Sequence, residues 1–153
     1  MKTQIWAHRG ASAYAPENTL EAFRLAAEMG ADGVELDVQL SRDGELVVAH
    51  DETIDRVSNG TGYIKDYTLA QLKKLSFNRL FPNFKDARIP TLLEVYELLK
   101  PAGLTVNVEL KTGIILYPEI EEKVLALTAS MGMEDRVIYS SFCHPSLVRL
   151  KEL

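Results

Sequence analysis

The sequence predicts a (β/α)8 barrel of parallel strands, with about the first five strands falling within its 153 residues. Three observations carry this. Strand-like runs recur with helix-like segments between most of them, the pattern of a parallel sheet covered by helices. Two strands alternate strictly. Glu35, Asp37 and Gln39 share one face of Gly33–Leu40, and Asn107, Glu109 and Lys111 share one face of Thr105–Lys111. Inner strands of a doubly wound sheet are apolar on both faces, whereas a barrel strand packs one face on the helix ring and points the other inward. Finally, the polar residues gather towards the C-terminal ends of the strands, where a parallel barrel places its active site.

Taken in order, Ile5–His8 is the first strand. Pro16-Glu17-Asn18-Thr19 announces a helix, with Asn18 as cap, Glu21 in the reciprocal capping-box position, Leu20, Phe23 and Ala27 as the apolar stripe and Gly30 as the stop. Gly33–Leu40 follows, then a turn at Ser41-Arg42-Asp43-Gly44 and a strand, Leu46–His50. Residues 51–90 are polar and rich in turns, with one short helix opened by a Thr68/Gln71 capping box and carrying Leu69, Leu72 and Leu75 on one face. They read as an insertion or lid with too little core to stand as a domain. Thr91 and Glu94 make another capping box, opening a helix through Leu99 that Pro101 and Gly103 close. After Thr105–Lys111, Pro118 starts a helix carrying Ile120, Val124 and Leu127, stopped by Gly132. Val137–Ser141 is a strand, and Pro145 opens the last helix.

Composition narrows the function classes. A formal net charge of −5 leaves no basic stripe for a nucleic-acid backbone, although two or three local cations suffice for a small phosphate. Cys143 is the only cysteine, so no intrachain disulfide forms. The first residues lack the apolar core of a signal peptide, and no run is long enough to span a bilayer. A soluble cytoplasmic protein is the expectation. Gly60 and Gly62 lack the strand–glycine–helix context and the Lys-Ser/Thr of a phosphate-binding loop, and there is no serine nucleophile elbow.

His8, His50, Lys111 and Ser140 fall at strand C-termini, with Glu35, Asp37 and Glu109 close by. Two positions apart on one strand, Glu35 and Asp37 leave the same face about 7 Å apart. Adding Glu109 crowds three carboxylates into one mouth, which drives at least one protonated unless a cation or a basic side chain intervenes. An all-oxygen site suits Mg²⁺ or Ca²⁺ better than Zn²⁺. His8 and His50 can serve as proton donor and acceptor, as metal ligands, or as ordinary hydrogen-bonded histidines. Arg9 and Lys111 fit a substrate anion, with an ion pair of Arg9 to Glu17 or Glu109 as the alternative. Gly10 either admits a ligand close to the backbone or makes a plain turn. Glu17 and Asn18 are read as capping groups, and His144 as structural.

His8-Arg9-Gly10, Pro16-Glu17-Asn18-Thr19, Glu35-Leu36-Asp37-Val38, His50-Asp51, Asn59-Gly60-Thr61-Gly62, Ile89-Pro90-Thr91-Leu92 and Glu109-Leu110-Lys111 occur in this order along the chain. Together with Ser140-Ser141-Phe142, they resemble the glycerophosphodiester phosphodiesterase family. The resemblance implies a TIM (β/α)8 barrel of the phospholipase-C-like phosphodiesterase type. It implies His8 and His50 as the general acid/base pair, Glu35, Asp37 and Glu109 as holders of a divalent cation, and Arg9 and Lys111 as the phosphate grip. The implied reaction is metal-dependent hydrolysis of a glycerophosphodiester to sn-glycerol 3-phosphate and an alcohol. Attack is by water or by a neighbouring substrate hydroxyl, the route of related barrel phospholipases. Lysophospholipids or phosphoinositides are the alternative substrates.

A barrel of this type runs to about 250 residues. Residues 1–153 therefore read as the N-terminal part of a single barrel domain with a small insertion at about 51–90 and without its C-terminal part. Open sheet edges then predict self-association or a completing chain. A non-catalytic half-barrel that needs such a partner is the competing reading.

Overall fold

The computed structural model describes residues 3–153. The described residues form five strands: β1 (Trp6–His8), β2 (Gly33–Leu40), β3 (Leu46–Val48), β4 (Thr105–Leu110) and β5 (Val137–Ser140). The helices are α1 (Leu20–Glu28), α2 (Leu69–Leu72), α3 (Leu92–Ala102), α4 (Ile120–Ser130) and α5 (His144–Glu152). β1, β2, β4 and β5 lie side by side in that order, every pair parallel.

One face of this sheet is the core. Val34, Leu36 and Val38 of β2 and Val106, Val108 and Leu110 of β4 are buried together with Phe23 and Ala26 of α1, Val95, Tyr96 and Leu99 of α3, and Ile120 and Val124 of α4. Their burial is the main apolar driving force of the fold. Because these helices join one cluster with the same strand face, the other face is left for polar residues. Register groups them into two cross-strand rows, His8–Glu35–Asn107 and Asp37–Glu109–Ser140. This is one arc of a barrel, helices outside and polar residues within.

The expected count of five barrel strands is corrected. β3 pairs antiparallel with β2, Val38 opposite Val48 and Leu40 opposite Leu46. The Asp43-Gly44 turn, with Gly44 at φ 79°, closes a hairpin rather than starting a crossover. Val38 also pairs with Leu110 of β4, so β3 lies on the β1 side of β2, beyond the end of β1. The parallel arc therefore has four strands. His50 follows a strand that runs the opposite way. It reaches the mouth because the hairpin overshoots the sheet and returns, not because it ends a parallel strand.

The insertion is better supported than its composition suggests. Val47 within β3 and Ala49 just after it share a second buried cluster with Ile54, Ile64 and Leu72. Two of the predicted capping boxes are present, at Thr68/Gln71 and Thr91/Glu94. The cap of α1 differs. Thr19 is its N-cap, accepting from the Ala22 N–H, and Asn18 is turned away at φ 55°. Pro101 lies within the last turn of α3, which Gly103 ends at φ 73°. Among the described residues, no helix is long and apolar enough to cross a membrane.

Gly10 has a structural role. At φ 77°, a Cβ there would sit 2.7 Å from the backbone carbon of Ala22 in α1. The close neighbour is helix backbone, which cannot yield as a flexible side chain can. Gly10→Ala is expected to lower stability by about 2 kcal/mol or more, from left-handed strain plus overlap. Urea unfolding measures it, and an unchanged midpoint would contradict the packing described.

Candidate active site

The site is built from β2 and β4 outward. Glu35, Asp37 and Glu109 each place a carboxylate oxygen within 4.8 Å of the others. Asp37 is almost fully buried and accepts a 2.9 Å hydrogen bond from Asn18 Nδ2 at Oδ2. Its buried Oδ1 has no hydrogen-bond partner. Lys111 Nζ donates to Glu109 Oε1 at 3.0 Å and lies 3.8 Å from Asp37 Oδ1.

Arg9 is in the left-handed region at φ 57°, backbone strain of the kind that clusters at functional sites. Its backbone N–H donates to Glu35 Oε2 at 3.0 Å. Its guanidinium donates from Nη1 to Glu17 Oε1 at 3.0 Å, while Nε lies 3.7 Å from Asp37 Oδ2. His8 Nε2 is 3.7 Å from Glu35 Oε2, and its side chain is 70% exposed. His50 Nδ1 is 2.7 Å from Asp51 Oδ1. The backbone at His50 is held by buried Gln39, whose Nε2 donates to the carbonyls of Ala49, His50 and Asp51 at 2.9, 3.3 and 2.7 Å. Tyr117 donates to Gln39 Oε1 at 2.9 Å and fixes the amide orientation.

Burial pushes the Glu35 carboxyl up to about 7, assisted by Asp37 and Glu109 and opposed by the Arg9 N–H. Burial also pushes Asp37 up, against the Asn18 hydrogen bond and the charges of His50 and Lys111. Asp51 is the reverse case. Partial burial works to raise it, but hydrogen bonds from Arg56 and His50 prevail and hold it at about 2.

Every predicted site residue lies in or beside this cluster. The alternative of Arg9 paired with Glu17 holds as well, so Arg9 contacts an acid on each side. The assignments of Glu17 and Asn18 as caps are corrected. Glu17 binds Arg9 and Arg56, and Asn18 binds Asp37. Their signal lay in the Pro16-Glu17-Asn18-Thr19 run itself. Asp51, Arg56 and Gln39 are not among the sequence-predicted site residues; Asp51, next to His50, and Gln39, on the same strand face as Glu35 and Asp37, carried a sequence signal, and Arg56 carried none. Ser140 lies in register beside Glu109, but its hydroxyl donates to Asn107 Oδ1 at 3.0 Å rather than to a carboxylate.

The donor set fits a divalent cation. Two oxygens opposite one another on a Ca²⁺ ion are separated by about 4.6–5.2 Å, and closer on Mg²⁺, so a 4.8 Å grouping encloses such an ion. A buried carboxylate oxygen with no hydrogen-bond partner and a neighbouring carboxyl raised to about 7 are both relieved by a positive charge there.

Comparison with known proteins follows the same line. Residues 8–153 match the model of the glycerophosphoryl diester phosphodiesterase family. The chain is 53% identical over 154 residues to a glycerophosphodiester phosphodiesterase of Caldanaerobacter subterraneus subsp. tengcongensis, covering 100% of this chain and 63% of the relative. It is 46% identical over 153 residues to one from Bacillus altitudinis, covering 99% of this chain and 62% of the relative. The crystal structure of a glycerophosphodiester phosphodiesterase from Agrobacterium tumefaciens matches with a TM-score of 0.90 at 39% identity, over 99% of this chain and 63% of that one. A phosphodiesterase from Oleispira antarctica, solved in complex with the product sn-glycerol-3-phosphate, matches with a TM-score of 0.85 at 36% identity, over 99% of this chain and 62% of that one. The chain thus spans a little over three-fifths of the length of these relatives.

The raised carboxyls set a pH dependence. With its pKa raised to about 7 from 4.5, Glu35 binds more protons folded than unfolded between those values. Its contribution is fully present below about pH 4.5 and is lost as pH rises through about 7. In EDTA, thermal stability is therefore expected to fall across this window, and Glu35→Gln to flatten the fall. An equally steep fall in Glu35→Gln would contradict the assignment.

Proposed function

The chain belongs to the glycerophosphoryl diester phosphodiesterase family, and from that premise we propose that it carries the catalytic centre of a metal-dependent hydrolase that splits glycerophosphodiesters into sn-glycerol 3-phosphate and an alcohol. The observation that carries the proposal is the grouping of Glu35, Asp37 and Glu109 within 4.8 Å, with a buried oxygen of Asp37 that accepts no hydrogen bond, between two histidines and two cationic side chains. The product complex of the Oleispira antarctica relative supports the substrate class.

Glu35, Asp37 and Glu109 hold the cation, Mg²⁺ or Ca²⁺. When bound, it lowers the charge on the phosphodiester and stabilises charge developing on the phosphoryl oxygens. Arg9 and Lys111 grip the same anion, Arg9 through a guanidinium already oriented by Glu17. His50, with Nδ1 on the Asp51 carboxylate, presents Nε2 as general base to the nucleophile, a water or a neighbouring substrate hydroxyl. His8 beside Glu35 is open to solvent and is left to protonate the departing alkoxide. The 51–90 insertion borders the mouth and helps shape the alcohol pocket. Cytoplasmic residence belongs to the same proposal, consistent with a lone cysteine.

The sheet edges favour a second proposal, compatible with the first. Among the described residues, β1 pairs only with β2 and β5 only with β4, and Ile5, Ile138 and Phe142 nearby are exposed. Four parallel strands are half of the eight that close a barrel. Completing strands, from more of the same polypeptide or from another copy, cover these edges. Residues 1–153 alone are then expected to elute larger than a monomer. A monodisperse monomer that unfolds cooperatively would overturn this.

The domain carrying residues 1–153 is expected to release glycerol 3-phosphate from glycerophosphocholine or glycerophosphoethanolamine. EDTA should abolish release, and His8→Ala or His50→Ala should lower kcat by about 100-fold or more. Undiminished turnover by His50→Ala in EDTA would sink the assignment.

A further inference from the structure

One side chain of the insertion reaches both halves of the site. Arg56 commits three N–H groups to two carboxylates. Nη1 and Nη2 donate to Oε2 and Oε1 of Glu17 at 2.7 and 2.8 Å, and Nε donates to Asp51 Oδ2 at 2.7 Å. Each carboxylate has its other partner inside the site. Asp51 Oδ1 is 2.7 Å from His50 Nδ1, and Glu17 Oε1 accepts from Arg9 Nη1 at 3.0 Å.

We propose that Arg56 is a positioning residue: its guanidinium fork fixes Asp51, so that neutral His50 keeps its proton on Nδ1 and presents the Nε2 lone pair, and fixes Glu17, so that Arg9 stays beside Asp37. The inference rests on the reading of His50 as general base. An ionised carboxylate is only an acceptor, so at 2.7 Å from it Nδ1 must be the donor, and this selects the tautomer. Asp51 is 29% exposed, so without a second anchor its carboxylate is free to turn to water. Arg56 is that anchor. Gln39 already holds the backbone carbonyls on either side, so Arg56 governs the imidazole rather than the loop. Lysine cannot substitute, because the planar fork supplies two parallel bonds to Glu17 and a third to Asp51 at a fixed angle.

The same clasp ties the insertion to α1's leading loop. Glu17 precedes the Thr19 cap and lies 39 residues from Arg56. Movement of the insertion is thereby coupled to both His50 and Arg9, the general base and the phosphate grip.

The test is long-range ¹H–¹⁵N NMR of the ¹⁵N-labelled metal-free chain, with His50 assigned from a His50→Gln sample, combined with kcat on glycerophosphocholine. Wild-type His50 is expected to show a protonated Nδ1 and an unprotonated Nε2. Arg56→Met and Arg56→Lys should shift it towards the tautomer mixture of free imidazole and lower kcat by about 10- to 100-fold. Thermal unfolding reports whether each variant folds. If Arg56→Met does not, Arg56→Lys, which keeps the charge and loses the fork, is decisive. A tautomer shift in proteins that all lack turnover would sink the hydrolase reading and leave the positioning role standing. A folded Arg56→Lys with the wild-type His50 tautomer would overturn the positioning role, whatever its turnover.

Discussion

Three carboxylates held within 4.8 Å of one another on the inner face of a sheet constrain every group around them. Like charges at that separation, largely removed from water, cannot all be ionised without compensation. Part of the compensation comes from the protein. Asn18 and Lys111 engage Asp37 and Glu109, and the backbone N–H of Arg9 engages Glu35. It is incomplete, since Glu35 is still pushed up to about 7 and one buried oxygen of Asp37 accepts no hydrogen bond. That residue of uncompensated charge is the physical basis for proposing a cation at this point.

The fold produces the crowding through register. Parallel pairing sets Asp37 beside Glu109 and Glu35 beside Asn107, while the alternate residues of both strands are committed to the core under α1, α3 and α4. A slip of one residue would exchange the two faces and bury the carboxylates under the helices, so packing of the apolar face specifies the site. The groups outside the sheet are placed differently. Arg9 and Asn18 are both left-handed, bracketing the loop between β1 and α1, and the Asn18 N–H donates to the Arg9 carbonyl at 3.0 Å. The loop is pinned at its waist, with Gly10 against α1, so its side chains are delivered from a rigid frame.

Much of this was legible in the sequence because two-residue alternation and capping boxes are local signals. β2, β4, the Thr91/Glu94 box and the two strand faces, Glu35 with Asp37 and Asn107 with Glu109, follow from spacing alone; that the faces meet follows from the β2–β4 pairing. What spacing could not show was strand direction. Leu46–Val48 has the composition of a barrel strand, and only the turn at Asp43-Gly44 hinted at a hairpin. His50 was thus placed at the mouth on a rule that does not apply to it. Glu17 and Asn18 were misread because a polar residue before a helix has two uses, capping its own helix or bonding a distant strand, and local sequence does not separate them. Alternation puts Gln39 on the site face but does not name its partners 10 or more residues on, and Arg56 acts across 39 residues, a distance at which periodicity carries no information.

Calorimetric titration of Mg²⁺ or Ca²⁺ into the metal-free chain distinguishes a cation site at Glu35, Asp37 and Glu109 from carboxylates that engage only Arg9, Asn18 and Lys111. Wild type is expected to bind one ion, releasing more protons at about pH 6 than at about pH 8, because the raised carboxyl of Glu35 must deprotonate to ligate. Asp37→Asn should abolish binding. Wild-type affinity in Asp37→Asn, or no binding by the wild type, would contradict the account.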